Sequence, residues 1–191
     1  GSNNFVEIAK NPSTLELETR LKKLDIRLAE GHRTEINLDL ESWIRTVTNS
    51  LNRGFVLIVD YGQAERKLHP QSNQGGSLRC YYKHTLNADP YTRVGRQDIS
   101  VHVDFTTLER EAVCAGLNSL GHGTQREFLL NLGLGFLMGA LNRTSISQEV
   151  RQYNLSGMIN LIAQDRLGAF RVLALGKGVD RPRLNGFYPG N

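Results

Sequence analysis

At 191 residues, with a formal charge of +4 and 39% hydrophobic residues, the chain is sized for about one domain. It is poor in apolar residues for a self-sufficient α/β domain, yet its composition does not suggest a disordered chain. With no membrane-length apolar run, no signal-peptide pattern, two isolated cysteines (Cys80, Cys114) and no His-x-x-x-His spacing, it reads as an intracellular protein with reduced thiols and no metal centre.

Residues 1–30 are poorly defined. Gly1-Ser2 reads as a tag remnant, Phe5-Val-Glu-Ile8 is a candidate strand, and charges alternate loosely from 15 to 30. The first firm element is a helix, because Leu40, Trp43, Ile44, Val47 and Leu51 share one face at i, i+3, i+4, i+7 and i+11. Asn37 or Asp39 can cap its start, and Gly54 lies beyond its end. The run Phe55–Val59, closed by Asp60-Tyr61-Gly62, predicts a strand buried on both faces of a parallel sheet.

Residues 63–97 predict a long basic insertion or lid. Arg66, Lys67, Arg79, Lys83, Arg93 and Arg96 face only Glu65 and Asp89, so the segment carries the whole net charge of the chain. Asp98–Phe105 alternates, with Ile99, Val101, Val103 and Phe105 on one face and Ser100, His102 and Asp104 on the other. Two capping boxes follow, Thr106-x-x-Glu109 for a helix to about Leu117, and Thr124-x-x-Glu127 for one burying Phe128, Leu129 and Leu132. A helix over about 147–163 would bury Val150, Leu155, Met158, Ile159 and Ile162, and Phe170–Leu175 closes the chain as a strand. Gly133–Gly139 follows a helix instead of a strand, so it reads as a helix break or close helix packing and not as a phosphate loop.

Three groups of residues are candidates for chemistry. A carboxylate at the carboxyl end of a strand, Asp60, can orient a substrate or accept a proton, and Gly62 lets backbone approach a ligand. His102 and Asp104 share a strand face and can build one polar site. The basic insertion with Tyr81, Tyr82 and Tyr91 has the makings of a single-strand nucleic-acid surface, although packed tyrosines on a solvated insertion explain it more simply, so nucleic acid is not the expected partner.

Five segments, in order, resemble the MidA-like methyltransferases, the group that includes the mitochondrial complex I assembly methyltransferase. They are Gly31-His-Arg-Thr-Glu-Ile-Asn37, Gly54–Gly62, Gly76-Ser-Leu-Arg-Cys-Tyr-Tyr-Lys-His84, Asp98–Phe105 and Thr124-Gln-x-x-Phe-Leu129, and the resemblance covers roughly residues 30–176. It implies the C-terminal part of a class I, Rossmann-like α/β methyltransferase fold with a long insertion, with residues 1–191 as a single partial domain. It also implies S-adenosylmethionine as methyl donor and protein arginine, on a respiratory complex I subunit, as acceptor. Mapped on the motifs, Asp60, His102 and Asp104 become the catalytic candidates, with Tyr61, Gly62, Arg79 and Asp98 as substrate-binding candidates.

The family's Glu-x-Gly-x-Gly donor loop and ribose-binding carboxylate would precede this chain, so weak or no binding of S-adenosylmethionine by the chain alone is expected. Early strands missing from the sheet would leave an exposed edge suited to a homodimer. The setting is the cytoplasm for a bacterial protein and the mitochondrial matrix for a eukaryotic one. A non-enzymatic interaction module that keeps half of the fold is the alternative.

Overall fold

A computed structural model of the chain describes residues 5–63, 76–83 and 85–188. The part of the predicted insertion at 64–75 and at 84 lies outside the described residues. In chain order the α-helices among the described residues are α1 (Leu15–Lys23), α2 (Leu40–Asn49), α3 (Phe105–Cys114), α4 (Gln125–Asn131), α5 (Leu134–Leu141) and α6 (Gln148–Ile162). The strands are β1 (Gly54–Asp60), β2 (Gly62–Gln63), β3 (Arg79–Tyr82), β4 (Thr85–Asn87), β5 (Asp98–Ser100), β6 (Val103–Asp104), β7 (Asn118–Thr124) and β8 (Arg171–Lys177). The chain divides into two compact units, residues 1–40 with 63–107, and residues 41–62 with 108–191.

In the first unit, the stretch 15–30 left undefined by its alternating charges contains α1. Thr14 caps it by accepting from Glu16 N, Glu16 and Glu18 sit in the first turn, and Arg20, Lys22 and Lys23 sit in the last. That distribution matches the helix dipole at both ends. Phe5–Ile8 forms no strand. The Cys80-Tyr81-Tyr82 island is the central strand of an antiparallel sheet ordered β4-β3-β5, with Cys80 fully buried. The predicted strand 98–105 is broken into β5 and β6, with Val101 and His102 outside both, and Phe105 already opens α3.

The reason for that early helix start is Asp104. Its carboxylate accepts from the backbone N of Thr107 and from the Thr107 hydroxyl, the N-cap arrangement three residues ahead. The expected Thr106-x-x-Glu109 box does not form, since Glu109 instead accepts from Ser119 Oγ and lies 3.4 Å from His122 Nδ1.

The second unit is built on an antiparallel sheet ordered β1-β8-β7. Here β8 is central, and Val172, Leu173, Ala174 and Leu175 form the core with Ile44, Leu108, Ala112 and Leu117. The prediction for β1 is corrected: it pairs antiparallel to β8 and, among the described residues, is an edge strand. Phe55, Leu57 and Val59 are 54%, 54% and 45% exposed, on the face that carries Gly176, Ala174 and Val172 of β8. Its apolar run therefore reflects one half-buried and one uncovered face, not two buried ones.

Between β7 and β8 the register shifts at Ser119/Gly121. Gly121 has φ +156, and a Cβ there would stand 2.5 Å from the Phe187 ring, so a bulge and a close aromatic approach both select glycine.

The box Thr124-x-x-Glu127 caps α4 as expected. Gly133, left-handed at φ +93, separates α4 from α5 as the helix-break reading required. The helix over 147–163 is present as α6, but none of its residues is buried, and Val150 and Ile159 are exposed. Trp43, expected on the buried stripe of α2, is also exposed, whereas Leu40 and Ile44 are buried. Among the described residues, no helix is long and apolar enough to cross a membrane.

Candidate functional site

Within the first unit, three separate segments and α1 enclose a cavity of about 120 Å³. Its walls are residues 34–37, Ser77 and residues 101–104, with Arg20 and Leu24 of α1, Leu40 and Thr107. Three of the five family-like segments thus contribute to one space.

Glu35 ties two of these segments together. Its Oε2 accepts from Ser77 N and Ser77 Oγ, both at 2.8 Å, and its Oε1 accepts from Leu78 N at 3.3 Å. Successive backbone amides that converge on one carboxylate need a tight local turn, which Gly76 supplies at φ +69. Ser77 Oγ also accepts from His102 N at 3.2 Å, so the third segment joins the same node.

His102 is half-buried and lines the cavity. Burial pushes its imidazole below the usual histidine value of 6.5, the nearby Arg79 guanidinium lowers it further, and Glu35 works in the opposite direction. The ring is therefore neutral at pH 7, and it can accept a proton or a hydrogen bond.

The other predicted residues are distributed as follows. Asp104 lines the same cavity, but its carboxylate is engaged as the cap of α3. Arg79 stands on β3 opposite Ser100, with Nη1 donating to Leu78 O at 2.7 Å, and Asp98 stands opposite Tyr81. Asp60, Tyr61 and Gly62 belong to the second unit. There Asp60 is registered opposite Arg171 and accepts from Tyr61 N at 2.7 Å, while the Tyr61 ring meets Phe170 edge-on at 5.7 Å.

Glu35 and Ser77 are cavity residues that no motif or spacing in the sequence singles out. Their signal lies within the family-like segments: an acid inside Gly31–Asn37, and a serine directly after Gly75-Gly76. The tyrosines of the basic segment are partly occupied, Tyr91 stacking on Phe5 at 5.7 Å and Tyr82 lying under Arg93 at 4.5 Å.

The described residues offer no open cradle for an anionic cofactor group at the start of α4. Among them, the glycine-bearing strand-to-helix junction is Gly121–Gln125, and the start of α4 is filled by the Glu127 carboxylate, which accepts from Thr124 N and Thr124 Oγ. An anionic cofactor group would find those donors already committed.

Residues 1–123 match the model of an S-adenosyl-L-methionine-dependent methyltransferase family. Among curated proteins, the mitochondrial protein arginine methyltransferase NDUFAF7 of Rattus norvegicus is 32% identical over 115 residues, 60% of this chain and 24% of that protein. The Xenopus tropicalis protein of the same name is 28% identical over 127 residues, 65% of this chain and 27% of its own length. A COG1565 superfamily member from Burkholderia thailandensis, crystallised with S-adenosyl-homocysteine, superposes with a TM-score of 0.83 at 30% identity, over 99% of this chain and 48% of that one. A second crystal structure of a COG1565 protein from that organism gives 0.84 at 30% identity, with 99% and 50% covered.

The chain thus spans about half the length of these solved structures and about a quarter of the curated relatives, and its fold is part of a larger methyltransferase fold. The resemblance carried by the five sequence segments holds, and with the match extending over well more than half of its residues the chain belongs to the S-adenosyl-L-methionine-dependent methyltransferase family.

Proposed function

We propose that this chain forms the acceptor side of an S-adenosylmethionine-dependent methyltransferase that modifies arginine in a protein substrate. The observation that carries the reading is the meeting of three family-like segments, through Glu35, Ser77 and His102, at one cavity. The names of relatives about 30% identical support arginine as the acceptor.

The donor, when bound, supplies an electrophilic methyl group, and the chain's own residues do the rest. A guanidinium that gains a methyl must lose a proton, and the neutral His102 imidazole receives it. A carboxylate holds the guanidinium by a charge-assisted fork, and Asp60 or Asp104 takes that part, with Tyr61, Gly62, Arg79 and Asp98 as the further substrate-binding candidates. Placement dominates such a transfer over acid/base strength.

The protein substrate is a respiratory complex I subunit, and the setting is the matrix or the bacterial cytoplasm. The chain alone binds the donor weakly or not at all and is inactive. It pairs with a second copy through β1, whose edge and apolar face are uncovered among the described residues.

Calorimetric titration of S-adenosylmethionine tests this reading, run on this chain and on a longer protein that restores the preceding half. Binding by the longer protein alone is the expected result. Tight binding by the short chain would overturn the proposed division of labour, and no methyl transfer to arginine peptides by either would sink the acceptor assignment.

A further inference from the structure

Between β5 and β6 the backbone leaves the strand pattern at Val101 and His102. An N–H that an unbroken strand would have spent on a ladder goes instead to a side chain, Ser77 Oγ. The same hydroxyl donates to Glu35, and Glu35 is itself held by the amides of Ser77 and Leu78. A carboxylate with three donors is a fixed node, and its hold is transmitted to residue 102 through one buried hydroxyl. Gly76 leaves the room the node needs, because a Cβ there would overlap Glu35 Oε1.

We propose that Glu35 and Ser77 are positioning residues that fix the 101–104 segment and thereby set the placement and charge of His102 at the cavity wall. The proposal rests on the reading that His102 serves the acceptor, and it adds the two residues that aim it. The charged groups around the imidazole are Arg20 from α1, Glu35 from the 34–37 wall, Arg79 from β3 and Asp104 from its own segment. Of these, Glu35 and Arg79 act on it in opposite senses.

The test is an NMR titration of the His102 ring in the ¹⁵N-labelled chain, with amide hydrogen exchange read at residue 102. Glu35→Gln should move the His102 midpoint to lower pH, because the opposing negative charge is gone. Ser77→Ala should speed exchange of the His102 amide by about tenfold, the loss of one hydrogen bond, and Ser77→Thr should restore protection. If Glu35→Gln unfolds the unit, the Ser77 pair decides alone. In the longer protein, Ser77→Ala should lower kcat with KM little changed.

An unchanged midpoint in folded Glu35→Gln, or an unchanged exchange rate in Ser77→Ala, would overturn the proposal. Full methyl transfer by a His102→Gln variant would instead sink the functional reading while leaving the measured coupling to Glu35 intact, so the two failures are distinguishable.

Discussion

Gly76 and Glu35 occupy each other's space: the volume where a side chain at 76 would begin is filled by Oε1 of the Glu35 carboxylate. Gly76 is also left-handed, at φ +69. Gly76→Ala should therefore combine a left-handed penalty of about 1–2 kcal/mol with displacement of Glu35 from its three donors. Urea unfolding of the chain should show a loss of roughly 2–3 kcal/mol. A loss under about 0.5 kcal/mol would mean that the carboxylate shifts freely and the node is soft.

His102 gives a pH dependence whose sign is fixed. Its folded value lies below 6.5, so above about 6.5 both folded and unfolded chains carry it neutral and stability is complete. As pH falls below that point the unfolded chain takes up a proton that the folded chain resists, and stability falls. The urea midpoint should thus drop between pH 7.5 and 5.5, and His102→Gln should flatten that part of the curve. A variant curve parallel to that of the native chain would assign the loss to other histidines.

Thr124 and Glu127 close the first turn of α4 reciprocally, with Thr124 N donating to Glu127 and Glu127 N donating to Thr124 Oγ. Thr124→Ala should cost about 1 kcal/mol in thermal or denaturant unfolding. The hydrogen bonds from Thr124 hold the Glu127 carboxyl below its ordinary value of 4.5, so the cap is complete above that pH and weakens as acid is added through the lowered value.

Gly121→Ala places a methyl against the Phe187 ring at a bulge, and should destabilise by about 1–3 kcal/mol. Phe187→Ala in the same chain should recover part of that loss, since it removes the obstructing ring. Additive losses would show that backbone strain, and not the ring, sets the cost.

Light scattering should find the chain as a dimer at high concentration, and Leu57→Lys should shift it towards monomer with little effect on unfolding, because Leu57 is already 54% exposed. A native chain that stays monomeric throughout would remove β1 as a pairing surface.

Local signals in the sequence were read well where one residue decides the outcome. The Thr124 box and the break at Gly133 are both present, whereas the alternation over 98–105 is interrupted at Val101 and His102, and His102 and Asp104 come to line one cavity without it. Long-range partners were not legible. Phe55–Val59 is apolar enough for burial on two sides, and only its pairing with β8 shows that one side is uncovered. Thr106 and Glu109 have the spacing of a cap, but Asp104 competes for the helix start and Ser119, ten residues away, takes Glu109. Glu35 and Ser77 meet across more than forty positions, a distance that no periodicity reports.

Asp104 caps α3 and also lines the cavity. A cation that draws this carboxylate away from both donors of Thr107 loosens the first helical turn, so occupancy and fraying of that turn become linked quantities. Binding strength at that wall is then lowered by the worth of one helix cap, about 1 kcal/mol, and a guest in the cavity would be visible as a loosened turn before any chemistry occurs.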